Sequence, residues 1–243
     1  MDQFSRTRML LDSEGVEHLR KSRVAVFGVG GVGGYVAEAL ARSGVGALTL
    51  VDNDTVSLTN LNRQMVALHS TLGRSKVEVM AARLRDINPE AEIIGHEMFY
   101  LPENADTVDL TAFDYVVDAV DTVAAKLELI TRCTAAGVPI LCAMGAGNKL
   151  DPTQLQITDI GKTSVCPLAK VIRVECRKRG IQHLEVAWST EPAITPACCE
   201  EDREESTKRS VPGSWAVVPA CMGLMMAGHV LRRLAAGKEE NHG

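Results

Sequence analysis

The seven cysteines of this chain include no C-x-x-C pair, and Cys198 and Cys199 are adjacent. A structural zinc ion bound by cysteines usually takes two such pairs, so the sequence predicts no zinc site. An odd number of irregularly spaced cysteines is typical of free thiols in a reducing compartment. The proline and acidic residues near Cys198 and Cys199 would not lower a thiol pKa. We therefore predict no covalent cysteine catalysis, and we expect Cys166 to pack.

A strong charge of either sign is also absent. The formal net charge is −5 over 243 residues, which gives no overall attraction to nucleic acid. No basic and apolar signal segment precedes Phe4, so we expect a cytoplasmic protein. Residues 214–231 contain no Lys, Arg, Asp or Glu, and their number is at the lower limit for a membrane span. Because Pro219 and Gly223 interrupt this run, we predict a buried or interface helix from Pro219 and no integral membrane insertion.

A glycine-rich turn between an apolar strand and a helix is the most informative segment present. Residues 24–28 are mostly β-branched and apolar, and Gly28, Gly30 and Gly33 follow the spacing G-x-G-x-x-G. Glycines let the backbone approach a phosphate, and the helix that follows offers amide donors at its N-terminus. A lone motif of this kind is a weak signal. It predicts a nucleotide without deciding which one.

The polar residues after the next strand decide between nucleotides. Asp52 directly follows the apolar residues 47–51, about twenty positions after the glycine turn. An NAD enzyme has at this position the carboxylate that binds the ribose. Arg63, Lys76 and Asp121 then follow, and hydride transfer needs no such set. An ATP triphosphate does, because cations neutralise its phosphates and a carboxylate holds magnesium. ATP is therefore favoured, and an NAD-binding redox or regulatory protein stays as an alternative.

Strands and helices alternate over most of the chain. Strands are predicted near residues 24–28, 47–51, 92–98, 114–118 and 139–143, with helices near 9–21, 33–43, 74–87 and 124–136. This alternation predicts a Rossmann-like, doubly wound α/β fold with a mostly parallel sheet. Asp52, Asp118 and Asp121 then lie at the carboxyl ends of strands, where ligands bind in such sheets.

The character of the sequence changes after residue 148. Strands near 154–159 and 184–188, with a helix at 170–179 between them, predict a smaller antiparallel half. Residues 189–213 are rich in proline, serine, threonine and charge, which predicts a mobile loop. We expect one adenylating domain, with a nucleotide-binding half at 1–148 and a substrate and dimer half at 149–243.

Several motifs outside the glycine turn resemble one family. These motifs are residues 4–7, 62–64, 67–70, 76–80, 86–90, 144–153 and 166–169. Through them the chain is similar to the tRNA threonylcarbamoyladenosine dehydratases, which are adenylating enzymes related to ubiquitin-activating enzyme. The resemblance covers residues 4 to about 195 and the last apolar helix. Its most specific parts, 145–153 and 162–170, are not shared by the sulfur-carrier adenylating relatives.

The resemblance implies an activity and a set of roles. The enzyme would use ATP and Mg²⁺ to adenylate the threonyl carboxylate of threonylcarbamoyladenosine in tRNA, then cyclise it with release of AMP and pyrophosphate. Asp121 would hold the metal, with Asp118 as its competitor, while Arg63 and Lys76 contact the β- and γ-phosphates. The residues expected at the nucleotide are Gly28, Gly30, Gly33, Asp52, Asp54, Asn60, Arg63, Gln64 and Lys76.

Partners follow from the same resemblance. A homodimer is implied, in which Arg6, or the nearby Arg8, reaches the phosphates bound by the other subunit. The resemblance also admits a cysteine desulfurase or sulfur-carrier partner and a peripheral membrane association. The principal alternative function is an adenylyltransferase that activates the C-terminal glycine of a small ubiquitin-like sulfur-carrier protein. That enzyme would share the whole ATP site.

A basic helix is the predicted contact with tRNA phosphates. Its valines and isoleucine, Val171, Ile172 and Val174, are expected to form the buried face. No aromatic side chain interleaves with the cations, so base stacking is not indicated. The cations on this helix are Lys170, Arg173, Arg177, Lys178 and Arg179.

Overall fold

The computed structural model describes residues 2–195 and 212–237, so Cys198, Cys199 and most of the predicted loop 189–213 lie outside the described residues. The strands are β1 (Arg23–Phe27), β2 (Ala47–Asp52), β3 (Glu92–Glu97), β4 (Tyr115–Asp118), β5 (Ile140–Ala143), β6 (Leu155–Asp159) and β7 (Glu185–Ser189). The helices are α1 (Ser5–Lys21), α2 (Gly33–Ser43), α3 (Lys76–Ile87), α4 (Val123–Ala136), α5 (Pro167–Lys178) and α6 (Val217–Ala235).

The strands form one sheet in the order β3-β2-β1-β4-β5-β7-β6. Every neighbouring pair is parallel except β6 with β7, which is antiparallel. The predicted fold class is confirmed, and the antiparallel pair is formed by the two C-terminal strands. These strands extend the main sheet, because β7 pairs in parallel with β5 in a register that sets Leu141 opposite Glu185.

Strand β1 shows why helices cover both faces of the sheet. Val24 and Val26 belong to a core cluster with residues of α2, α3 and α6, whereas Ala25 and Phe27 belong to a second cluster with residues of α4. Successive side chains of a strand point to opposite faces, so both faces are buried. A strand buried on both faces reads as a continuous apolar run, as β1 does.

Helices α1 and α5 begin three to four residues earlier than predicted. Helix α1 starts at Ser5 and is broken at Asp12, where φ is 55° and ψ is −173°. The Asp12 carboxylate accepts a hydrogen bond of 2.8 Å from the Gly15 N–H, which caps the second segment of the helix. Helix α5 starts at Pro167, because Cys166 forms the cap and proline suits the first helical position.

Helix α6 has Pro219 in its first turn, and it packs mainly against α2 and α1 of its own chain. A Cβ on Gly223 would lie 2.9 Å from the Tyr35 Cβ, so α2 and α6 approach closely at this glycine. Of the two alternatives predicted for this helix, a buried or an interface helix, the structure therefore shows a mostly buried one, although Leu224 is 51% exposed. None of the helices in the described ranges is long and apolar enough to span a bilayer.

Candidate active site

A cavity of about 380 Å³ lies at the carboxyl ends of β1, β2 and β4. This volume is within the usual range of small-molecule sites, and the location is the one at which open α/β sheets bind ligands. Two predicted site residues, Gly33 and Arg6, are not in its lining. The predicted site residues that line it are Gly28, Gly30, Asp52, Asp54, Asn60, Arg63, Gln64, Lys76 and Asp121.

The three glycines of the turn serve different purposes. Gly28 has φ of +88°, and a Cβ there would lie 2.7 Å from the carbonyl oxygen of Ala119. A Cβ on Gly33 would overlap the carbonyl oxygen of Gly28. Protein packing therefore requires both glycines. At Gly30 a Cβ would meet only the Gln64 amide nitrogen, at 3.8 Å, so the free space there belongs to the cavity.

The Asp52 carboxylate fixes the glycine turn to the end of β2. Its Oδ2 accepts a hydrogen bond of 2.6 Å from the Val29 N–H, and its Oδ1 accepts one of 2.8 Å from the Asp54 N–H. A carboxylate oxygen can accept more than one hydrogen bond. Asp52 can therefore hold the turn and still accept from a hydroxyl in the cavity.

Lys76 is a buried cation at the start of α3. Its side chain is 6% exposed, and its Nζ lies 2.6 Å from Oδ2 of Asp54. The positive end of a helix dipole disfavours a cation at this position, so nearby negative charge is needed. Asp54 supplies one negative charge, and a phosphate in the cavity would supply more. The contact that the structure shows for the Asp54 carboxylate is therefore with Lys76, which it orients at the cavity.

Arg63 is held at the cavity by two acceptors. Its Nη1 donates to the Thr59 carbonyl oxygen at 3.0 Å and to Oδ1 of Asn62 at 2.8 Å. Burial lowers the pKa of Arg63, although the guanidinium stays charged. The Asn62 Nδ2 donates in turn to the Ser214 carbonyl oxygen at 2.9 Å. Asn62 therefore connects Arg63 to the segment before α6, a role that the motif 62–64 did not reveal.

Gln64 presents an unfilled acceptor. The residue is 8% exposed, and its Oε1 has no hydrogen-bond partner within the described residues. Leaving a buried polar atom unpaired costs about 1–3 kcal/mol. Since Gln64 lines the cavity beside Gly30, a polar ligand there would supply the missing partner.

Asp118 and Asp121 have different environments. Asp118 is fully buried, and its Oδ2 lies 2.6 Å from Nζ of Lys126, which is fully buried too. Asp121 is exposed and lines the cavity, so it is the better placed of the two competitors for a metal ion. The described ranges contain no cluster of three metal-binding side chains. Magnesium fits a single carboxylate here, because it commonly binds through one or two carboxylates, substrate phosphates and water.

An aromatic wall of the cavity was missed by the sequence reasoning. Met98, Phe99 and Tyr100 follow β3 and line the cavity, and the Tyr100 ring lies edge-on to that of Phe27 at 4.9 Å. Burial raises the pKa of Tyr100 to about 12. The signal was available, because two of the chain's few aromatic residues are adjacent here, directly after a strand.

Comparison with known proteins identifies the family. The profile of the ThiF family matches residues 4–243. The chain belongs to the ThiF family. The tRNA threonylcarbamoyladenosine dehydratase of Bacillus subtilis is 46% identical over 244 residues, which cover 96% of this chain and 95% of the relative. The resemblance to the dehydratases that the motifs indicated is therefore confirmed.

Two further ThiF-like relatives show how far each similarity extends. The structure of Escherichia coli tRNA N6-threonylcarbamoyladenosine dehydratase in complex with ATP superposes with a TM-score of 0.85 at 34% identity, over 96% of this chain and 94% of that one. The molybdopterin-synthase adenylyltransferase of Escherichia coli is 42% identical, but over only 54% of this chain. The similarity to the dehydratases thus extends over nearly the whole chain.

Arg6 does not line the cavity of its own subunit. Arg8 is engaged with Asp2, whose Oδ1 lies 2.7 Å from the Arg8 Nη1. Arg6 is exposed and makes no ion pair within the described residues. On the same helical segment, Met9 and Leu10 are 82% and 86% exposed.

The basic helix α5 is partly neutralised. Lys178 and Arg179 both pair with Glu175, at 2.6 and 2.5 Å, and these two cations lower the pKa of its carboxyl group. Lys170 and Arg177 are exposed and form no ion pair with any described residue. These two cations are therefore the available ones on this helix.

The buried face of α5 was predicted wrongly. Val171 and Val174 are 45% and 43% exposed, so of the three residues expected inside only Ile172 is buried. The helix buries Ala169, Ile172 and Cys176 instead. Their spacing of three and four residues places them on one helical face.

The described cysteines are buried or half-buried. Burial raises the pKa of Cys133 to about 12 and also raises the pKa of Cys142 and Cys176. A thiol in this state is not a nucleophile. Cys198 and Cys199 lie outside the described residues, and the absence of cysteine catalysis stays a prediction.

Proposed function

We propose that this chain is an ATP-dependent dehydratase that acts on threonylcarbamoyladenosine in tRNA. The observation that carries the proposal is the similarity over almost the whole chain to the Bacillus subtilis dehydratase. The cavity supports it, because a glycine turn, two cations and three carboxylates converge there. Acting on tRNA, the enzyme would work in the cytoplasm.

The nucleotide would lie along the cavity with its phosphates at the glycine turn. Asp52 would accept hydrogen bonds from the ribose hydroxyls, and Gly30 leaves room for the backbone to contact the α-phosphate. Arg63 and Lys76 would neutralise the β- and γ-phosphates. Asp121 would hold magnesium, which supplies charge neutralisation at the phosphates.

The reaction then takes two steps. The threonyl carboxylate attacks the α-phosphate of ATP, the bond to the bridging oxygen breaks, and pyrophosphate leaves. In the acyl-adenylate that forms, the acyl carbon is a better electrophile than in the carboxylate. The carbamoyl group of the same nucleoside attacks this carbon and expels AMP, which closes a ring with net loss of water.

The second step needs no protein nucleophile. The attacking group and the acyl carbon belong to one molecule, and a well-oriented intramolecular reaction can reach effective molarities on the order of 10⁵ M or more. The task of the protein is then to bind, orient and exclude water. The half 1–148 would bind most of the nucleotide and the half 149–243 would bind the tRNA, while Pro219 of the second half also lines the nucleotide cavity.

Nucleoside mass spectrometry tests the proposal. The protein is incubated with ATP, magnesium and threonylcarbamoyl-modified tRNA, and the tRNA is then digested to nucleosides. We expect the modified nucleoside to lose one water, with AMP formed in equal amount. An unchanged nucleoside mass, together with adenylation of a sulfur-carrier protein, would instead support the principal alternative.

The alternative adenylyltransferase shares the ATP site, so the cavity does not separate the two functions. The extent of the similarity does separate them. A molybdopterin-synthase adenylyltransferase is similar over only about half of the chain, whereas a dehydratase is similar over nearly all of it, and this difference favours the dehydratase. An NAD enzyme is disfavoured, because Lys76 and Arg63 add two cations at the cavity, more than a pyrophosphate bound at the glycine turn requires.

The available cations of α5 lead to a prediction about tRNA. Changing Lys170 and Arg177 together to glutamate should weaken tRNA binding and flatten its dependence on salt, because two phosphate contacts are lost. ATP affinity should stay the same. Binding assays over a range of salt concentrations measure both effects, and Lys178→Glu serves as the matched control because Lys178 already pairs with Glu175. Unaltered tRNA affinity in the double variant would remove this helix from the tRNA contact.

A homodimer would complete the site through Arg6. The exposed Met9 and Leu10 beside Arg6 support an interface at this segment, because large apolar side chains favour burial. Arg6 would then neutralise the phosphates bound by the other subunit.

Subunit mixing tests the shared site. Arg6→Ala and Asp121→Ala proteins, each inactive alone, should recover about a quarter of the wild-type rate after exchange, because half of the dimers are mixed and each has one complete site. If each site were instead formed by a single chain, no site in the mixture would have both Arg6 and Asp121, and no activity would return. Absence of recovery after verified exchange, or a monomer in sedimentation, would contradict the shared site.

A further inference from the structure

A fully buried ion pair lies just beneath the cavity. Lys126 is in the first turn of α4, and its Nζ lies 2.6 Å from Oδ2 of Asp118, the last residue of β4. The same Nζ donates to the carbonyl oxygen of Ala143, the last residue of β5, at 2.9 Å. One ammonium group therefore joins the ends of two strands to a helix.

The pair also fixes the turn at 119–122. Oδ1 of Asp118 accepts from the Val120 N–H at 3.1 Å, and the Ala119 N–H donates to the Phe27 carbonyl oxygen at 2.7 Å. Val120, Asp121 and Thr122 line the cavity. A shift of Asp118 would therefore shift the residues that face the nucleotide, Asp121 among them.

The energetics of buried charges indicate why the pair matters. Removing two charges from water is costly, and replacing a buried pair by uncharged residues of similar volume is often neutral or stabilising. Such a pair is therefore weak as a source of folding stability. Its geometry, in contrast, is demanding, because two hydrogen bonds define the position of one ammonium group.

We propose that the Lys126–Asp118 pair positions the turn 119–122, and through it Asp121, while contributing little net stability. This inference rests on the proposed function for its activity readout only. Lys126 is in this view a positioning residue, because it touches neither the nucleotide cavity nor the reacting atoms. The residues lining the cavity do not include it.

The experiment compares a single with a double variant. Lys126→Met leaves a buried carboxylate without its cation, so its unfolding midpoint should fall by roughly 10 °C. Asp118→Asn with Lys126→Met removes both charges and keeps the acceptor for Val120. We expect the double variant to unfold within about 4 °C of the wild type.

The double variant should nevertheless be a poor enzyme. Its kcat for AMP formation should fall on the order of 100-fold, since a small displacement at a reacting centre can cost that much. In calorimetric titrations with ATP at increasing magnesium concentrations, the magnesium concentration that gives half of the maximal ATP binding should rise about tenfold. An effect of this size is typical when a residue that supports a metal ligand is lost. Asp118→Asn with Lys126→Gln, which keeps a donor for Ala143, should recover part of the lost activity.

A second buried carboxylate provides the matched control. Glu38 on α2 is 6% exposed and pairs with Arg83 on α3 at 2.6 Å, and neither residue lines the cavity. Glu38→Gln with Arg83→Met should therefore keep the wild-type kcat and magnesium dependence.

Two results would overturn the proposal. One is a folded Asp118→Asn, Lys126→Met protein with wild-type kcat and magnesium dependence. The other is a double variant as unstable as the single one, or unfolded, which would make the pair a source of folding stability. If the wild-type protein binds ATP but does not dehydrate the tRNA, the proposed function fails, and the stability and binding measurements still test the pair.

Discussion

Asp121→Ala should lower AMP formation on the order of 1000-fold while leaving the unfolding midpoint close to that of the wild type. The carboxylate lines the cavity and is outside the core, so its loss would remove the proposed metal ligand and little packing. Single-turnover AMP release and thermal unfolding measure the two effects separately.

The matched control for this variant is Asp106→Ala. Asp106 has a side chain that is 91% exposed and pairs with Arg132, outside the cavity lining. Its replacement should leave AMP formation at the wild-type rate. If Asp121→Ala stays active at ordinary magnesium concentrations, water or another group holds the metal, and the role assigned to Asp121 is wrong.

Lys76→Met should weaken ATP binding on the order of 100-fold and change AMP binding by less than about threefold. The reason for the difference is that AMP lacks the β- and γ-phosphates. The variant should fold, because the Asp54 side chain is 57% exposed and does not become a buried charge when its partner is lost. Calorimetric titration with each nucleotide measures both affinities.

Lys21→Met provides the comparison, because Lys21 is 72% exposed and outside this cavity. It should bind both nucleotides as the wild type does. Equal weakening of ATP and AMP binding by Lys76→Met would assign the lysine to the adenosine or α-phosphate part of the site.

Much of the site could be predicted because it is local in sequence. The glycine turn lies between a strand and a helix that are adjacent along the chain, so Gly28 and Gly30, which line the cavity, could be assigned from spacing alone. Asp52 and Asp121 follow buried strands, and parallel strands bring their carboxyl ends to one edge. The roles of these residues remain predictions until the variants are measured.

What could not be predicted depends on pairing between distant segments. Lys126 in the sequence resembles any helical lysine on a solvated face. Only the register of β4 beside β5 sets Asp118 and the Ala143 carbonyl on either side of its ammonium group. The same applies to β7, whose parallel pairing with β5 no local pattern in residues 184–188 could reveal.

The error on α5 has a different origin. The valines at 171 and 174 are more apolar than the buried Ala169 and Cys176, so composition favoured the wrong face. Helical spacing favoured the correct one, because residues 169, 172 and 176 recur at intervals of three and four. Periodicity is the better guide where the buried residues are small.

The contact of α6 with α2 has a consequence for the order in which the protein is made. Pro219 of α6 lines the cavity whose glycine turn is formed by residues 28–33. Because synthesis runs from the N-terminus, the glycine turn, Arg63 and Lys76 leave the ribosome long before Pro219 is added to the chain. A nascent chain that ends before residue 212 lacks this part of the cavity lining. We therefore expect nucleotide turnover to begin only when the last helix has folded back onto α2.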